Sequence, residues 1–317
     1  MKVLLTGASG FIGGRFLARW QGIDGFEFLG LGRRPLARPD YRALDLSEPF
    51  TLDFRPDVVV HAAALAAPFA RRAEYERHNV RATANVLAFC RAVGRPKLVY
   101  LSSSSVFYRP CDQFDLNEDA PIGPNFANDY AATKAAGEVL VRAYVGPWVI
   151  LRPRAVFGPG DTVLFPRLLA AARQGKLPRI VRRGKPAVGD LIAVDALVDY
   201  LARACARPVV GEYNLTNGEP VVLQEFLDET FRRLDLPVPR RRVPYRVAWS
   251  AAFAAELLWK GLRLRGEPPV TRFGVDVLAF SKTFDVRRAR AALGPPSITL
   301  EQGLSAFVAW QRAESGA

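Results

Sequence analysis

Residues 1–14 read MKVLLTGASGFIGG, and this stretch decides the fold. Lys2–Leu5 is a short, largely apolar run that is typical of a buried strand. Glycines follow at positions 7, 10 and 13, and residues 11–20 have the pattern of a helix. Glycine allows a tight turn and a close approach of the backbone to an anion, and a helix N-terminus favours negative charge. The order of strand, glycine turn and helix therefore predicts a pyrophosphate site for a dinucleotide.

Strand-like and helical segments alternate as far as about residue 155. This alternation predicts a parallel sheet with right-handed crossovers, that is, a doubly wound α/β fold of the Rossmann type with a small C-terminal substrate-binding region. The predicted strands of the sheet are residues 26–31, 57–61, 97–101 and 148–151. Later elements are expected to be helices over 165–174 and 195–206, the second with Asp195 as its N-cap, and a strand over 209–215.

The pattern becomes irregular after residue 159, which divides the chain into three parts. Residues 1–155 form the dinucleotide-binding core, to which 189–217 return. Residues 156–188 and 218–282 form the substrate-binding region, and 283–317 form a C-terminal helical segment.

A long stretch with three prolines covers residues 107–129. Loops of this length are uncommon unless they are functional. Because it joins Ser103 to Tyr130, we expect it to border the active site.

The composition excludes several classes of protein. The 317 residues are 50% hydrophobic, which is enough for a full core. Three cysteines without paired spacing and only two histidines predict neither a disulfide framework nor a metal site. The net charge of +13 arises from scattered basic residues without a recognisable nucleic-acid module, so no nucleic-acid partner is expected. The chain opens directly on a strand with no visible signal peptide, which predicts the cytoplasm.

The sequence YAATK at residues 130–134 predicts proton-transfer chemistry. Tyr130 and Lys134 lie one turn apart on the same face of a helix. A free phenol with a pKa near ~10 is a poor base at neutral pH, and we expect the nearby ammonium to lower that pKa. The pair therefore suits proton transfer at a carbinol or carbonyl. Four serines at 102–105 follow a predicted strand, where ligands bind in such sheets, and each could donate to a substrate oxygen.

Taken together, these features resemble the extended short-chain dehydrogenase/reductase family. Besides the glycine turn and the Tyr-Lys pair, the matching segments are DL (45–46), HAAA (61–64), LSSSSVF (101–107) and LRPRAVFGPG (151–160). The second half of the chain resembles the 3β-hydroxysteroid dehydrogenase-like branch more loosely. Its matching segments are GDLIAVDALVD (189–199), YNLTNG (213–218) and TFDVRRAR (283–290).

The resemblance implies a Ser-Tyr-Lys triad. The catalytic serine of the family lies three positions before the Val of a Ser-Ser-x-x-Val pattern, which selects Ser103. Tyr130 would exchange a proton with the substrate oxygen, and Lys134 would also hold the nicotinamide ribose. One departure is that Phe107 and Tyr108 stand where the family usually has Tyr-Gly. Tyr108 would then form an aromatic wall near the substrate and has no catalytic role.

The resemblance also implies which residues surround the two ligands. The cofactor residues are Gly7, Ser9, Gly10, Phe11, Ile12, Arg33, Arg34, Asp45, Leu46, Ala62, Ala63, Ala64, Ser102, Tyr130, Lys134, Pro153 and Val156. Asp45 and Leu46 are implied at the adenine, and Pro153 and Val156 beside the nicotinamide. The substrate residues are Leu65, Ser104, Arg154 and Phe157. Structural roles are alternatives for Arg152 and Arg154, and His61 is expected to be a packed strand-end residue.

The end of the second strand favours NADP(H) over NAD(H). An acidic residue there accepts hydrogen bonds from the ribose 2′-hydroxyl and selects NAD. This chain has Gly32 near that position, followed by Arg33 and Arg34. Arginine pairs with a 2′-phosphate through charge-assisted, bidentate hydrogen bonds.

The stretch 245–265 is apolar over 247–259 and follows three arginines at 240–242. The apolar part is shorter than the ~20 residues needed to span a bilayer. Three alternatives remain open: contact with a membrane interface, the roof of an apolar substrate pocket, and ordinary core.

The leading hypothesis is an NADP(H)-dependent oxidoreductase that interconverts a hydroxyl and a ketone. The resemblance implies an apolar substrate of a steroid-like, long-chain β-hydroxy/β-keto or polyketide-like kind, with decarboxylation allowed after oxidation, and a homodimer formed through two helices. One alternative is a nucleotide-sugar epimerase, with Arg154, Arg182 and Arg183 available for the diphosphate. Another is a non-catalytic dinucleotide sensor. A dehydratase is disfavoured because Ser104 and Ser105 stand where those enzymes have an Asp-Glu pair.

Overall fold

A seven-stranded parallel sheet forms the centre of the structure, a computed structural model that describes residues 1–316 apart from positions 24, 68, 183, 185, 263 and 265. The strands are β1 (Lys2–Thr6), β2 (Glu27–Gly32), β3 (Tyr41–Ala43), β4 (Val58–His61), β5 (Lys97–Leu101), β6 (Gln113–Leu116), β7 (Trp148–Pro153), β8 (Val156–Phe157), β9 (Arg179–Val181), β10 (Val188–Gly189), β11 (Ile192–Ala193), β12 (Gly211–Leu215), β13 (Val221–Val222), β14 (Arg242–Pro244) and β15 (Lys282–Phe284). The helices are α1 (Phe11–Trp20), α2 (Arg72–Tyr75), α3 (Ala82–Ala92), α4 (Asp129–Arg142), α5 (Phe165–Arg173), α6 (Val194–Ala206), α7 (Leu223–Arg233), α8 (Tyr245–Gly261), α9 (Arg272–Ala279), α10 (Arg287–Leu293) and α11 (Leu300–Gly316). A π-helical turn covers Glu76–Arg81, and a 3₁₀ turn covers Ser104–Phe107.

The strand order of the main sheet is β12-β7-β5-β4-β1-β2-β3, and every pairing is parallel. This order confirms the predicted doubly wound fold of Rossmann type. The chain runs outward from β1 to β3 on one side and from β4 to β12 on the other. The carboxyl ends of β1 and β4 therefore flank the switch point at which ligands bind in such sheets. Strand β12 lies beside β7, with Leu215 opposite Pro153.

Helices cover both faces of the sheet, which explains why its central strands are apolar along their whole length. Val3–Leu5 of β1 and Val58–Val60 of β4 are almost completely buried. On one face, α1, α6 and α11 enclose the larger core. On the other face, α3 and α4 enclose a second core.

Asp195 is not an N-cap, contrary to the prediction. Helix α6 begins after Ala193, and Asp195 lies inside its first turn. Its carboxylate instead accepts hydrogen bonds from Arg15 of α1 at 2.6 and 3.0 Å. One turn later, Asp199 binds Arg19 in the same way at 2.6 and 2.9 Å. The two helices pack side by side, so these carboxylates serve the contact between α1 and α6.

A smaller sheet has the strand order β13-β10-β15-β6. Strand β6 comes from the long stretch 107–129, and β15 pairs with it in parallel. The segment 283–317, predicted to be helical, therefore begins within a strand, because Thr283 and Phe284 complete this sheet before α10 and α11 follow.

Helix α8 leaves large apolar side chains in solvent. Val247 is 58% exposed and Leu257 is 54% exposed. One face of α8 nevertheless belongs to a small core, in which Ala248 and Ala252 pack with Val275. Arg263 and Arg265 lie outside the described residues. In the described part of the chain, no helix combines the length and the apolar character that a bilayer span requires.

Candidate active site

The glycine turn between β1 and α1 brings three parts of the backbone into contact. Gly7 has a φ of +75°, and a Cβ on it would lie 2.8 Å from the backbone nitrogen of Ala63. A Cβ on Gly13 would lie 2.3 Å from the carbonyl oxygen of Gly7. Side chains at these positions would therefore push β1, α1 and the residues after β4 apart. Thr6 fixes the same point, because its hydroxyl accepts a hydrogen bond from the Ala63 amide at 3.1 Å.

His61 is a packed strand-end histidine, as predicted. It is buried, with Nδ1 2.7 Å from Thr6 Oγ1 and Nε2 3.0 Å from Thr83 Oγ1. Burial lowers the pKa of His61 to about 3, so the ring is neutral and serves to hold β4 in place.

Helix α1 presents its N-terminus at the mouth of the glycine turn. Its N-cap is Gly10, and its described first turn carries neither a side-chain cap nor an acidic residue. The helix dipole therefore favours an anion there. The predicted cofactor residues that the fold gathers around this turn are Gly7, Ser9, Gly10, Phe11, Ile12, Ala62, Ala63 and Ala64. The space kept open by the glycines and the uncapped helix end fit a dinucleotide pyrophosphate.

The end of β2 borders the same turn, and a side chain there would have to displace two neighbouring side chains. A Cβ on Gly32 would lie 2.5 Å from Ser9 Oγ and 2.6 Å from the hydroxyl oxygen of Tyr41. Arg33 and Arg34 follow, and both are exposed. Nη2 of Arg34 donates to the carbonyl oxygen of Ser9 at 2.6 Å, which holds this arginine beside the glycine turn.

The residues implied at the adenine lie just after β3. The Asp45 carboxylate accepts a hydrogen bond from the Ser47 amide at 3.0 Å and pairs with Arg77 at 3.0 Å. Leu46 is buried against the second core.

The three predicted catalytic residues meet at the carboxyl end of β5. Ser103 follows this strand, caps the 3₁₀ turn and accepts a hydrogen bond from the Ser105 amide at 3.2 Å. Tyr130 and Lys134 lie one turn apart near the start of α4. The Lys134 ammonium is buried, donates to the carbonyl oxygen of Leu101 at 2.6 Å, and lies 4.1 Å from the ring centre of Tyr100.

Burial dominates the protonation of this triad. It raises the pKa of Tyr130 to about 12, and a hydrogen bond with Ser103 opposes the shift. Burial also lowers the pKa of Lys134 to about 7. The expectation that Lys134 lowers the pKa of the phenol is therefore wrong for this structure, because desolvation is the largest influence on Tyr130 and Lys134 is not among the groups that shift it.

A buried ion network lies behind Lys134, and the sequence analysis missed it. Glu138, one turn further along α4, is completely buried. Its carboxylate accepts two hydrogen bonds from Arg152 at 2.8 Å each and one from Ser102 Oγ at 2.6 Å. Arg152 also binds Glu212 of β12. Arg152 thus joins α4 to two strands in a structural role, and the Ser102 hydroxyl points to Glu138.

The predicted substrate residues divide into two groups. Ser104 is buried in the 3₁₀ turn that Ser103 caps, and Leu65 follows β4 on the cofactor side. Phe157 lies elsewhere: it is completely buried in the larger core, with its ring centre 5.4 Å from that of Phe226. Its side chain is therefore core, because β8 turns it toward α7.

Arg154 lies just beyond β7 and is 6% exposed. It stands between Pro153, which pairs with β12, and Ala155, whose φ is +42°. Val156 follows in β8. A left-handed φ at a residue other than glycine is costly and clusters at functional sites.

The remaining arginines and acidic residues bear on the epimerase alternative and on metal binding. Arg182, considered for a sugar diphosphate, binds Asp112, and its guanidinium lies 4.6 Å from the ring centre of Phe280. Arg183 lies outside the described residues. Among the residues that are described, no group of His, Cys, Asp and Glu is arranged to hold a metal ion.

The model of the NAD dependent epimerase/dehydratase family matches residues 3–216 of the chain. The chain belongs to this family. It is an NAD(P)-dependent oxidoreductase of the extended short-chain type, and the family binds a dinucleotide cofactor. The resemblance found in the sequence is confirmed.

Relatives and solved structures extend this assignment. The chain is 35% identical to 2-alkyl-3-oxoalkanoate reductase of Stenotrophomonas maltophilia, over 96% of this chain and 97% of that protein. It is 30% identical to 3beta-hydroxysteroid-dehydrogenase/decarboxylase isoform 1 of Arabidopsis thaliana, over 78% of this chain and 60% of that protein. The structure of UDP-glucuronic acid 4-epimerase from Bacillus cereus in complex with NAD superposes with a TM-score of 0.73 at 20% identity, over 99% of both chains. At that identity the likeness shows the fold.

Proposed function

We propose that this chain is an NADP(H)-dependent reductase that interconverts a ketone and a hydroxyl on an apolar, long-chain substrate. The observation that carries the proposal is the arrangement at the end of β5, where Tyr130 hydrogen-bonds Ser103 and the Lys134 ammonium donates to the carbonyl oxygen of Leu101. The name of the 2-alkyl-3-oxoalkanoate reductase supports a β-keto substrate.

The protonation of the triad suits reduction. With a pKa of about 12, Tyr130 carries its proton at neutral pH and can donate it to the substrate oxygen. Ser103 donates a hydrogen bond to the same oxygen and positions it. Lys134, with a pKa of about 7, is able to return a proton to the site and to hold a ribose hydroxyl. A nicotinamide bound here would supply the hydride.

An apolar substrate is supported by the position of α8. Lys260 near the end of this helix lies 5.8 Å from the ring centre of Phe69, in the segment that follows β4 and Leu65. The same helix carries exposed apolar side chains, among them Phe253 and Leu257. This arrangement favours a pocket-roof role for α8.

Exchange of Tyr130 for Phe tests the chemistry. We expect Tyr130→Phe to lower kcat for hydrophobic ketones by about 10²- to 10⁴-fold, because the proton donor is lost, while NADPH still binds. Tyr144→Phe is the matched control, since Tyr144 donates to the carbonyl oxygen of Pro96 at 2.8 Å, outside the site. Turnover that survives Tyr130→Phe with little loss would rule out the proposed donor. Binding of dinucleotide without turnover of any ketone would favour a sensor.

The preference for NADP(H) rests on Gly32, Arg33 and Arg34. With glycine in place of an acidic residue at position 32 and two exposed guanidinium groups beside it, the site favours a 2′-phosphate. Thermal stabilisation at matched concentrations of NADPH and NADH reports the two affinities. We expect tighter NADPH binding, lost by roughly 10-fold in the double variant Arg33→Ala/Arg34→Ala and kept in Arg91→Ala. Equal binding of both cofactors would show that the arginines are only solvated surface.

A further inference from the structure

Arg154 carries a buried positive charge that has no hydrogen-bonded partner among the described residues. Its side chain forms no hydrogen bond and no ion pair with any residue that the structure describes, and Nε is completely buried without a partner. Burying a charge is expensive unless hydrogen bonds and an opposite charge compensate. An arginine in this state is expected where a ligand supplies the missing partner.

Other buried polar groups around Arg154 also lack hydrogen-bond partners among the described residues. Arg154 interacts electrostatically with Tyr108, Asp190 and Lys282, which together we call the Arg154 cluster. All four side chains are at most 6% exposed. Within the described part of the chain, the Tyr108 hydroxyl and Oδ1 of Asp190 also lack hydrogen-bond partners.

The other charged members of the cluster are held by backbone groups and not by Arg154. Lys282 donates to the carbonyl oxygen of Arg109 at 3.1 Å, and its ammonium lies 4.2 Å from the ring centre of Tyr108. Oδ2 of Asp190 accepts a hydrogen bond from the Phe284 amide at 2.8 Å. Asp190 is thus a carboxylate close to Arg154, but no hydrogen bond joins the two side chains in the described part of the chain.

The cluster lies next to the triad. Strands β5 and β7 pair with Leu101 opposite Leu151, and the Ser102 amide donates to the carbonyl oxygen of Leu151 at 2.7 Å. Ser103 and Arg154 therefore follow adjacent ends of neighbouring strands. On the other side, the ring of Tyr108 meets that of Phe273 in α9 at 5.1 Å, so the cluster lies between the strand ends and the substrate-binding region.

We propose, building on the proposed function, that Arg154 and the Tyr108 hydroxyl bind the carboxylate of a 3-oxo or 3-hydroxy acid. A guanidinium matches a carboxylate through two parallel hydrogen bonds. In a 3-oxo acid this carboxylate lies two bonds from the ketone carbon, so anchoring it beside Ser103 would place the ketone at Tyr130. In the reduction, a hydride adds to C3 and the Tyr130 proton adds to its oxygen, while the carboxylate stays intact. Arg154 is thus a substrate-binding residue that selects acids over neutral ketones.

The test compares a long-chain 3-hydroxyalkanoate with its methyl ester, oxidised with NADP⁺ or NAD⁺ by the full-length chain. The ester keeps the chain and the hydroxyl but removes the negative charge. We expect the wild type to prefer the acid in kcat/KM by roughly 10- to 100-fold. Arg154→Gln should remove that preference by lowering the value for the acid while leaving the ester within about 3-fold. Arg173→Gln, which removes an exposed charge on α5, should behave as the wild type does.

Other outcomes separate this inference from the function on which it rests. Equal turnover of acid and ester by the wild type, or an equal loss of both in Arg154→Gln, would overturn the carboxylate site and leave the reductase proposal standing. Failure of the wild type to turn over either compound would overturn both. Tyr108→Phe provides a second variant, with an expected loss of roughly 3- to 10-fold on the acid alone. If Arg154→Gln does not fold, an unchanged preference in Tyr108→Phe refutes the proposal.

Discussion

Arg152 and Arg154 stand on either side of Pro153, and both are almost completely buried. Their surroundings are opposite. Arg152 forms a bidentate pair with Glu138 and a second ion pair with Glu212. Arg154 has no such partner among the residues that the structure describes.

The comparison assigns different roles to two arginines that lie within three residues of sequence. Arg152 stabilises the fold, and Arg154 is proposed to bind a ligand. A buried ion pair with all its hydrogen bonds made is tolerated, but a buried charge without a partner lowers stability. The Arg152 side of the strand end is complete in the free protein. Under the proposal, Arg154 gains its hydrogen bonds only when an anionic ligand binds. Such a site lowers the stability of the free protein in return for ligand binding.

The largest effect on stability is expected from a substitution of Arg152, whose ion pairs are all formed within the protein. Arg152→Gln leaves the completely buried Glu138 without its bidentate partner, so we expect a loss of about 3–5 kcal/mol in the free energy of unfolding. Urea unfolding measures this value. A loss below about 1 kcal/mol would show that Arg142, which also binds Glu138 at 2.8 Å, compensates on its own.

The next effect concerns the pH dependence of the Arg154 cluster. Burial raises the pKa of Asp190 to about 6, whereas an unfolded aspartate titrates near ~3.9. Between these values the folded state binds more protons, so this residue lowers stability as pH rises from about 4 to 6. Asp190→Asn should therefore gain about 2–3 kcal/mol relative to the wild type between pH 4 and pH 7. If the free energies of unfolding of the two proteins, measured in urea, changed with pH in parallel, the raised pKa of Asp190 would be contradicted.

A smaller effect of opposite sign is expected from Arg154 itself. Arg154→Met replaces the unmatched cation by an apolar side chain of similar length, so the free energy of unfolding should stay unchanged or rise by about 1 kcal/mol. The same urea assay, run beside Arg152→Gln, makes the contrast direct. If Arg154→Met costs as much as Arg152→Gln, the two arginines are equivalent and the comparison fails.

The smallest effect is expected at an exposed pair. Nη2 of Arg81 donates to Glu48 at 2.9 Å, but both side chains are more than half exposed. Arg81→Gln should change stability by less than about 0.5 kcal/mol, because solvent screens such pairs. A larger change, retained in high salt, would mean that exposure is a poor guide to the value of ion pairs in this chain.

Much of the fold could be predicted because its signals are local. The glycine turn and the helix Phe11–Trp20 follow from adjacent residues, and the apolar runs of β4 and β5 mark the buried strands. Asp195 failed as an N-cap because its partner, Arg15, lies far away in sequence on a helix whose packing the pattern does not reveal.

The candidate site likewise contains some residues whose proximity the sequence reveals and others whose proximity it does not. Tyr130 and Lys134 share a helix turn, so their proximity could be read from spacing alone. Glu138 could not be found, since its partners Arg152 and Glu212 come from two strands that only the folded sheet brings together. The direction of the Tyr130 pKa shift was wrong for a related reason: spacing reports a neighbouring charge, but burial depends on the whole fold.

Gly32 limits how this chain could change its cofactor. The single substitution that usually creates NAD selectivity, an acidic residue at the end of β2, would here collide with Ser9 and Tyr41. The Ser9 hydroxyl and the Tyr41 ring would have to move to admit it. If the proposed preference for NADP(H) holds, loss of positive charge at Arg33 and Arg34 would relax it without building a new contact.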